Sequence, residues 1–367
     1  MIIIFVSIFS IVLALLHFVV YKTVVSILTL SFTWRLITLI VLAVFCFSFI
    51  ISIVLNFNFN NLFTRIYYTI SATWLGFAFY FLLASVLYAV TLLLFRIFDI
   101  SISLQWFGVF CFILAIIVGI YGVIHANYIY IKNVNIALPN LPTVWQSKRA
   151  VFISDIHLGA IYGQNFSADI VTKINQINPD IVFIGGDLYD GSKVDEFEII
   201  KPFTDLHPVL GTYFITGNHE EFRDDTVFLN AIKSTGIHVL DDEMVTIEGL
   251  QLIGVDDRDS TNALKFKSIL SSLNINKNEP SILLKHQPLQ LDIAAKAGIS
   301  FQVSGHTHKA QVFPLNILFN LFYRGYDYGL KMYDNMVVFT SSGVGTWGPP
   351  MRMGTDNEII VITFLAK

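Results

Sequence analysis

Hydrophobic positions follow two different rules along this 367-residue chain. From its start to about residue 131 they run nearly unbroken: residues 1–21, 36–64, 66–95 and 100–131 carry no charged side chain. A helix needs about 20 apolar residues to cross a bilayer core, so the runs predict spans near 2–21, 36–55, 68–94 and 104–124. Trp34, Tyr67, Tyr68 and Trp106 fall near the predicted ends, where amphipathic rings favour the headgroup region. The first run lacks a basic leader and three more spans come after it, so it reads as a retained helix and not a cleaved signal.

Past residue 131 the pattern breaks up. Residues 132–148, with Pro139 and Pro142, read as a linker. Short runs rich in Val, Ile and Phe then alternate with polar, helix-compatible stretches: Ala150–Ser154, Ile181–Gly185, Tyr213–Thr216, Gln251–Val255, Ile282–Leu284, Phe301–Val303, Val337–Thr340 and Ile359–Phe364. Runs of this length predict buried strands, and the stretches 165–178, 193–206 and 224–235 predict helices between them. The organisation expected is a transmembrane helical region over 1–131, a linker over 132–148, and an α/β (α+β) domain of two packed sheets over 149–367.

Charge changes the picture only by sharpening this division. The first region holds Lys22, Arg35, Arg65 and Arg96 against Asp99, for a net charge of +3; the remainder carries −7, giving the chain's −4. Mean hydropathy is +0.65 with 14% charged residues, well under the ~25% usual for a water-solvated domain. Cys46 and Cys111 both lie in apolar runs, and the C-terminal region has no cysteine, which excludes a disulfide framework and a zinc–thiolate site there. The spans carry no ionisable side chain except His17 and His125 near their ends, so the region reads as an anchor and not a transport path.

The candidate chemistry lies just past the predicted strands. Asp155 and His157 come after the first run, Asp187 and Asp190 after the second, Asn218 and His219 after the third; His286 closes the fifth, and His306 and His308 come after the sixth. In α/β sheets ligands bind outside the carboxyl ends of strands, and five of the chain's nine histidines fall at such positions. Imidazole with carboxylate and no thiolate suits Mn²⁺, Fe²⁺ or Zn²⁺. Two such ions can clamp a phosphoryl displacement, with an Asp as the natural bridge. His17, His125, His207 and His238 lack this company and are assigned no chemistry.

The ordered segments Asp155-Ile156-His157, Gly186-Asp187-Leu188-Tyr189-Asp190, Gly217-Asn218-His219-Glu220, Lys285-His286 and Gly305-His306-Thr307-His308 resemble the motifs of calcineurin-like metallophosphoesterases. The resemblance covers about residues 149–367. The closing stretch from Gly343 to Pro350, with Arg352, is similar to the bacterial membrane-associated branch. It implies that Asp155, His157 and His308 hold one metal and Asn218, His286 and His306 another, with Asp187 bridging. His219 would contact the phosphate or protonate the leaving oxygen, and Asp190 would orient it. Two glycines usually come after the last histidine in this branch; Lys309 and Ala310 stand there instead, where Lys309 either contacts phosphate or is simply solvated.

A domain of net −7 without a basic run argues against nucleic acid. The expected substrate is a phosphodiester or pyrophosphate, lipid-linked or associated with the envelope, beside membrane lipids as partners. The alternatives are a tethered general phosphodiesterase or nucleotidase, and a non-enzymatic membrane scaffold with a degenerate domain. The aromatic segment 312–333 reads either as a cap reaching into the interface or as a piece packed on the protein. Counting Arg65 and Lys132 against Lys22, Arg35 and Arg96 leans the catalytic domain to the extracytoplasmic side by one charge, a lean that Lys148 and Arg149 reverse.

Overall fold

The computed structural model describes residues 2–222 and 225–367. They form two compact units, residues 1–125 with 348–351 and residues 126–347 with 352–367.

In the first unit the apolar runs become α1 (Ile2–Leu28), α2 (Phe32–Asn58), α3 (Leu62–Ile97) and α4 (Gln105–His125). All four are long and apolar enough to cross a membrane. Most of their Leu, Ile and Phe side chains face outward, as lipid-facing helices require, while small and polar residues such as Ser52, Ser71, Ala72, Ser85 and Gly108 are buried between helices. His17 lies well inside α1, not at a span end as expected. It is satisfied there: its Nδ1 lies 2.8 Å from the Leu13 carbonyl and its Nε2 accepts from Trp74 Nε1 at 3.0 Å.

The second unit has two six-stranded mixed sheets. The first contains β1 (Ile129–Leu138), β2 (Arg149–Ile153), β3 (Ile181–Ile184), β4 (Thr212–Phe214), β5 (His238–Val239) and, added last in the chain, β12 (Asn357–Ala366), in the order β1-β12-β2-β3-β4-β5. The second contains β6 (Glu243–Ile247), β7 (Leu250–Gly254), β8 (Ser281–Leu284), β9 (Phe301–Ser304), β10 (Gly329–Tyr333) and β11 (Met336–Thr340), in the order β10-β11-β9-β8-β7-β6. Helices α5 (Gln164–Ile177), α6 (Glu196–Ile200), α7 (Asp225–Ser234), α8 (Asp257–Thr261), α9 (Ala263–Ser272), α10 (Leu291–Ala297) and α11 (Leu315–Phe322) complete the unit.

The two-residue period of each strand divides its side chains between layers. Ala150, Phe152, Ile181 and Phe183 of the first sheet meet Leu252, Ile282, Leu284, Phe301 and Val303 of the second in one core. Val151, Ile153, Val182 and Ile184 turn the other way and pack with Ile170 and Ile174 of α5 and Phe228 of α7. Full burial of each such side chain is worth about 1.5–3 kcal/mol. The parallel pairs β2–β3, β3–β4, β7–β8 and β8–β9 bring their carboxyl ends to one edge of the unit.

The stretch expected as a linker, 132–148, is structured. β1 pairs in parallel with β12 from Ile129↔Asn357 to Leu138↔Ala366, and Trp145 is wholly buried, donating from Nε1 to the Ile247 carbonyl at 3.0 Å. Its polar Lys132, Asn133 and Asn135 concealed a strand whose Ile136 and Leu138 alone are fully buried. The expected helix 193–206 is two short pieces, α6 and a 3-10 turn over Lys201–Asp205.

Candidate metal centre

The loops leaving β2, β3, β4, β8 and β9 converge at the shared edge. Their backbones are unusual: Asp155 (φ 53°), His157 (55°), Asp187 (52°), His306 (70°) and His308 (47°) all take the left-handed conformation that side chains disfavour. Neighbouring loops hold them there. Asp155 N donates to Gly186 O at 3.0 Å, His157 N to Asp187 O at 3.1 Å, and Gly305 N to His286 O at 2.9 Å. Gly217 is required because a Cβ there would sit 2.3 Å from Asp187 Oδ1.

Among the described residues, three groups of side chains present ligand atoms within 4.8 Å of one another: Asp155, His157 and His308; His157, Asp187 and His219; Asp187, His286 and His306. Asp187 is shared. Its Oδ2 lies 3.2 Å from His286 Nε2, 3.9 Å from His157 Nε2 and 4.0 Å from His219 Nε2. His157 and His308 approach through Nε2 atoms 3.0 Å apart, and His306 Nδ1 lies 3.3 Å from His286 Nε2. His286 Nδ1 is 2.7 Å from the Gly185 carbonyl, which fixes a proton there, and its Nε2 is the nitrogen turned to Asp187 and the cluster.

The residues fit a cation. Asn218 Oδ1 is buried with no hydrogen-bond partner, an arrangement that costs free energy unless an acceptor of its lone pairs is present. Burial, reinforced by the neighbouring imidazoles, lowers His157 and His308 far below the usual histidine range and His306 to about 3. These rings are therefore neutral, the form that ligates metal. Burial pushes the Asp155 carboxyl up to about 6, with the Asp187 charge adding to it. Asp187 goes the other way: burial opposes its ionisation, but His286 and His219 hold it well below the usual carboxylate range.

His219 is buried beside the cluster. Its Nδ1 lies 3.1 Å from the Asp190 backbone carbonyl, and its ring meets Trp347 edge-on with centroids 5.5 Å apart. The Asp190 carboxylate is turned to backbone amides, accepting from Ala160 N and Ser192 N at 2.7 Å each. Lys309 Nζ sits 4.4 Å above the Tyr328 ring.

Two residues at this edge, named within the resembling segments, were given no role by the sequence. Glu220 is fully buried and accepts from Asp187 N and Gly217 N through Oε2 and from Tyr189 N through Oε1, at 2.8–3.0 Å. Burial and the Asp187 charge push it up to about 8, while the amides of Tyr189 and Gly217 pull it down. Its one signal was its place directly after His219. Arg352, also fully buried, donates to the carbonyls of His308 (2.9 Å), Ser342 (2.7 Å) and Gly345 (2.5 Å) and to Asn357 Oδ1 (2.6 Å). A lone arginine in a Gly/Pro-rich tail gives no pattern from which that role could be read.

Residues 148–310 match the family model described as calcineurin-like phosphoesterase. An uncharacterized metallophosphoesterase of Campylobacter jejuni is 30% identical over 65% of this chain and 63% of its own length. A transmembrane protein with metallophosphoesterase domain from Danio rerio is 32% identical over 68% of this chain and 61% of its own. An uncharacterized metallophosphoesterase of Aquifex aeolicus is 28% identical over 69% of this chain and 98% of its own length. The chain thus spans less than two thirds of the first two relatives.

Proposed function

We propose that this membrane protein, whose C-terminal domain belongs to the calcineurin-like phosphoesterases, hydrolyses a phosphodiester or pyrophosphate bond with two divalent metal ions, in a lipid-linked or envelope-associated substrate. The carrying observation is the pair of ligand groups, Asp155–His157–His308 and Asp187–His286–His306, linked by a third, His157–Asp187–His219, that shares one residue with each. On this reading Asp155, His157 and His308 hold one ion, Asn218, His286 and His306 the other, and Asp187 lies between them. Divalent ions held there would supply positive charge to phosphoryl oxygens and a water acidic enough to act near neutral pH.

The chain's own groups do the rest. A carbonyl can only accept, so the Asp190 carbonyl fixes the His219 proton on Nδ1 and leaves Nε2 to carry a second proton to the leaving oxygen. Asp190 serves through that carbonyl, while its carboxylate ties down Ala160 and Ser192. Four helices able to span a bilayer hold the domain where membrane-borne phosphoesters are concentrated, which supports a substrate from that phase.

The test is hydrolysis of bis-p-nitrophenyl phosphate and p-nitrophenyl phosphate by the full chain in detergent, with Mn²⁺ and an Asp187→Asn control. Metal-dependent diesterase activity absent from the control is expected. A folded protein that binds metal but cleaves neither compound with Mn²⁺, Fe²⁺ or Zn²⁺ refutes the reading.

A further inference from the structure

Segment 312–333 carries the feature that catalysis does not explain. α11, LNILFNLF, has no buried residue although it stands in the water-solvated unit. Leu318 is 61% exposed, Leu321 71% and Phe322 72%, with Ile317 also exposed. The adjoining β10 adds exposed Leu330 and Met332. A helix laid on an aqueous domain ordinarily turns its apolar stripe inward. Here an asparagine makes the tie instead: Asn320 Nδ2 donates to Asp327 Oδ1 at 2.7 Å.

That tie leads to the metal loop. The Asp327 carbonyl accepts from Thr307 Oγ1 at 2.6 Å, and Thr307 lies between His306 and His308. Tyr323, which caps α11, is buried; burial and then the charges of Asp257, Asp155 and Asp327 push its phenol up to about 12. The outward apolar surface and the ligand loop are thus parts of one braced element.

We infer that α11 and the exposed face of β10 insert into the water interface of an anionic bilayer, the one that holds the chain's own spans. Three features select lipid over another protein surface. Three residues separate the end of α4 at His125 from β1 at Ile129, a tether of roughly 14 Å at full extension, so the unit cannot leave the membrane surface. The exposed stripe is Leu, Ile and Phe, the composition of interfacial helices. Exposed Arg324, two residues past the end of α11, borders it and matches anionic headgroups. The insertion would carry the ligand loop to the level of headgroup phosphates. In that sense it rests on the proposed phosphoesterase reading, although its test requires no catalysis.

The experiment places single cysteines at Leu318, Leu321 and Val209 in a full chain with Cys46 and Cys111 replaced by alanine. Val209 is 88% exposed in the loop before β4, at the amino-terminal edge of its sheet. Each variant is labelled with an environment-sensitive fluorophore and reconstituted in phosphatidylcholine–phosphatidylglycerol vesicles with and without nitroxide-labelled acyl chains. Quenching at Leu318→Cys and Leu321→Cys about threefold stronger than at Val209→Cys is expected, weakening when phosphatidylglycerol is omitted. Equal quenching at all three sites overturns the inference. So does cross-linking of Leu321→Cys between chains without quenching, which would assign the face to a second copy. A full chain that quenches strongly at these sites but, unlabelled and with metal bound, cleaves no phosphodiester would sink the catalytic reading and leave this one standing.

Discussion

Replacing Glu220 by Gln tests whether the two central loops depend on a buried carboxylate. Three backbone amides, those of Asp187, Tyr189 and Gly217, converge on its two oxygens and leave no acceptor for a carboxyl proton, so the comparison is made at pH 9, above the value of about 8 to which burial pushes Glu220. A glutamine side chain of the same shape has one acceptor oxygen. In its better orientation that oxygen keeps Asp187 N and Gly217 N, and the amide group then opposes Tyr189 N–H. One buried donor left unsatisfied costs about 1–3 kcal/mol, and each retained bond loses about 1 kcal/mol of charge assistance. The sum centres near 4 kcal/mol, which a domain of ordinary stability survives. For a domain of this size that corresponds to a fall in Tm of about 8–16 °C, measurable by scanning fluorimetry of the full chain in detergent. Because Asp187 and Asn218 ride on these loops, affinity for added Mn²⁺ should fall as well, by about tenfold or more. A variant within about 0.5 kcal/mol of the parent, with unchanged metal affinity, would refute the reasoning: a neutral amide would then serve as well, and Glu220 would be held protonated.

Burial lowers Lys285 from 10.5 to about 8, so between those pH values the unfolded chain binds a proton the folded one does not. Stability should therefore rise with pH across that window, by about 3 kcal/mol, and Lys285→Met should abolish the slope in denaturant titrations; a slope that survives assigns it to another group. His219→Asn should lower kcat about 10²–10⁴-fold while metal content by mass spectrometry stays at the parental value. Loss of metal in that variant would make His219 a ligand instead.

The strands that a reading of apolar runs finds and those it misses differ by position. β2, β3, β4, β7, β8, β9, β11 and β12 lie within the sheets or beside the shared core, and their Val-, Ile- and Phe-rich runs are buried on both faces. β1, β5, β6 and β10 are the four edge strands. An edge strand has a neighbour on one side and commonly one wet face, so Lys132, Glu243 and Lys331 are tolerated in it and the apolar run is interrupted. This is why 132–148 passes for a linker: the strand is held by its pairing to β12, a partner more than two hundred positions away, and not by its own composition.

The candidate ligands invert this logic. Their order along the chain was legible, yet nothing in local propensity would place Asp155, His157, Asp187, His306 and His308 in left-handed backbone. Such conformations cost of order 1 kcal/mol or more apiece and persist only where the surroundings over-determine them. The surroundings are the other loops: His306 N donates to Asp155 Oδ1 at 2.9 Å and His219 N to Asp187 Oδ1 at 2.9 Å, while Glu220 and Arg352 gather amides and carbonyls from several segments at once. Asp187, which turns Oδ2 to the cluster, therefore also braces the backbone through Oδ1, and both Asp155 oxygens accept from His306 N. Removing either Asp should then disturb loop geometry as well as charge. This is the reason to control for activity with Asp187→Asn, which keeps an oxygen for His219 N, in preference to Asp187→Ala, which would dismantle the loop with the site.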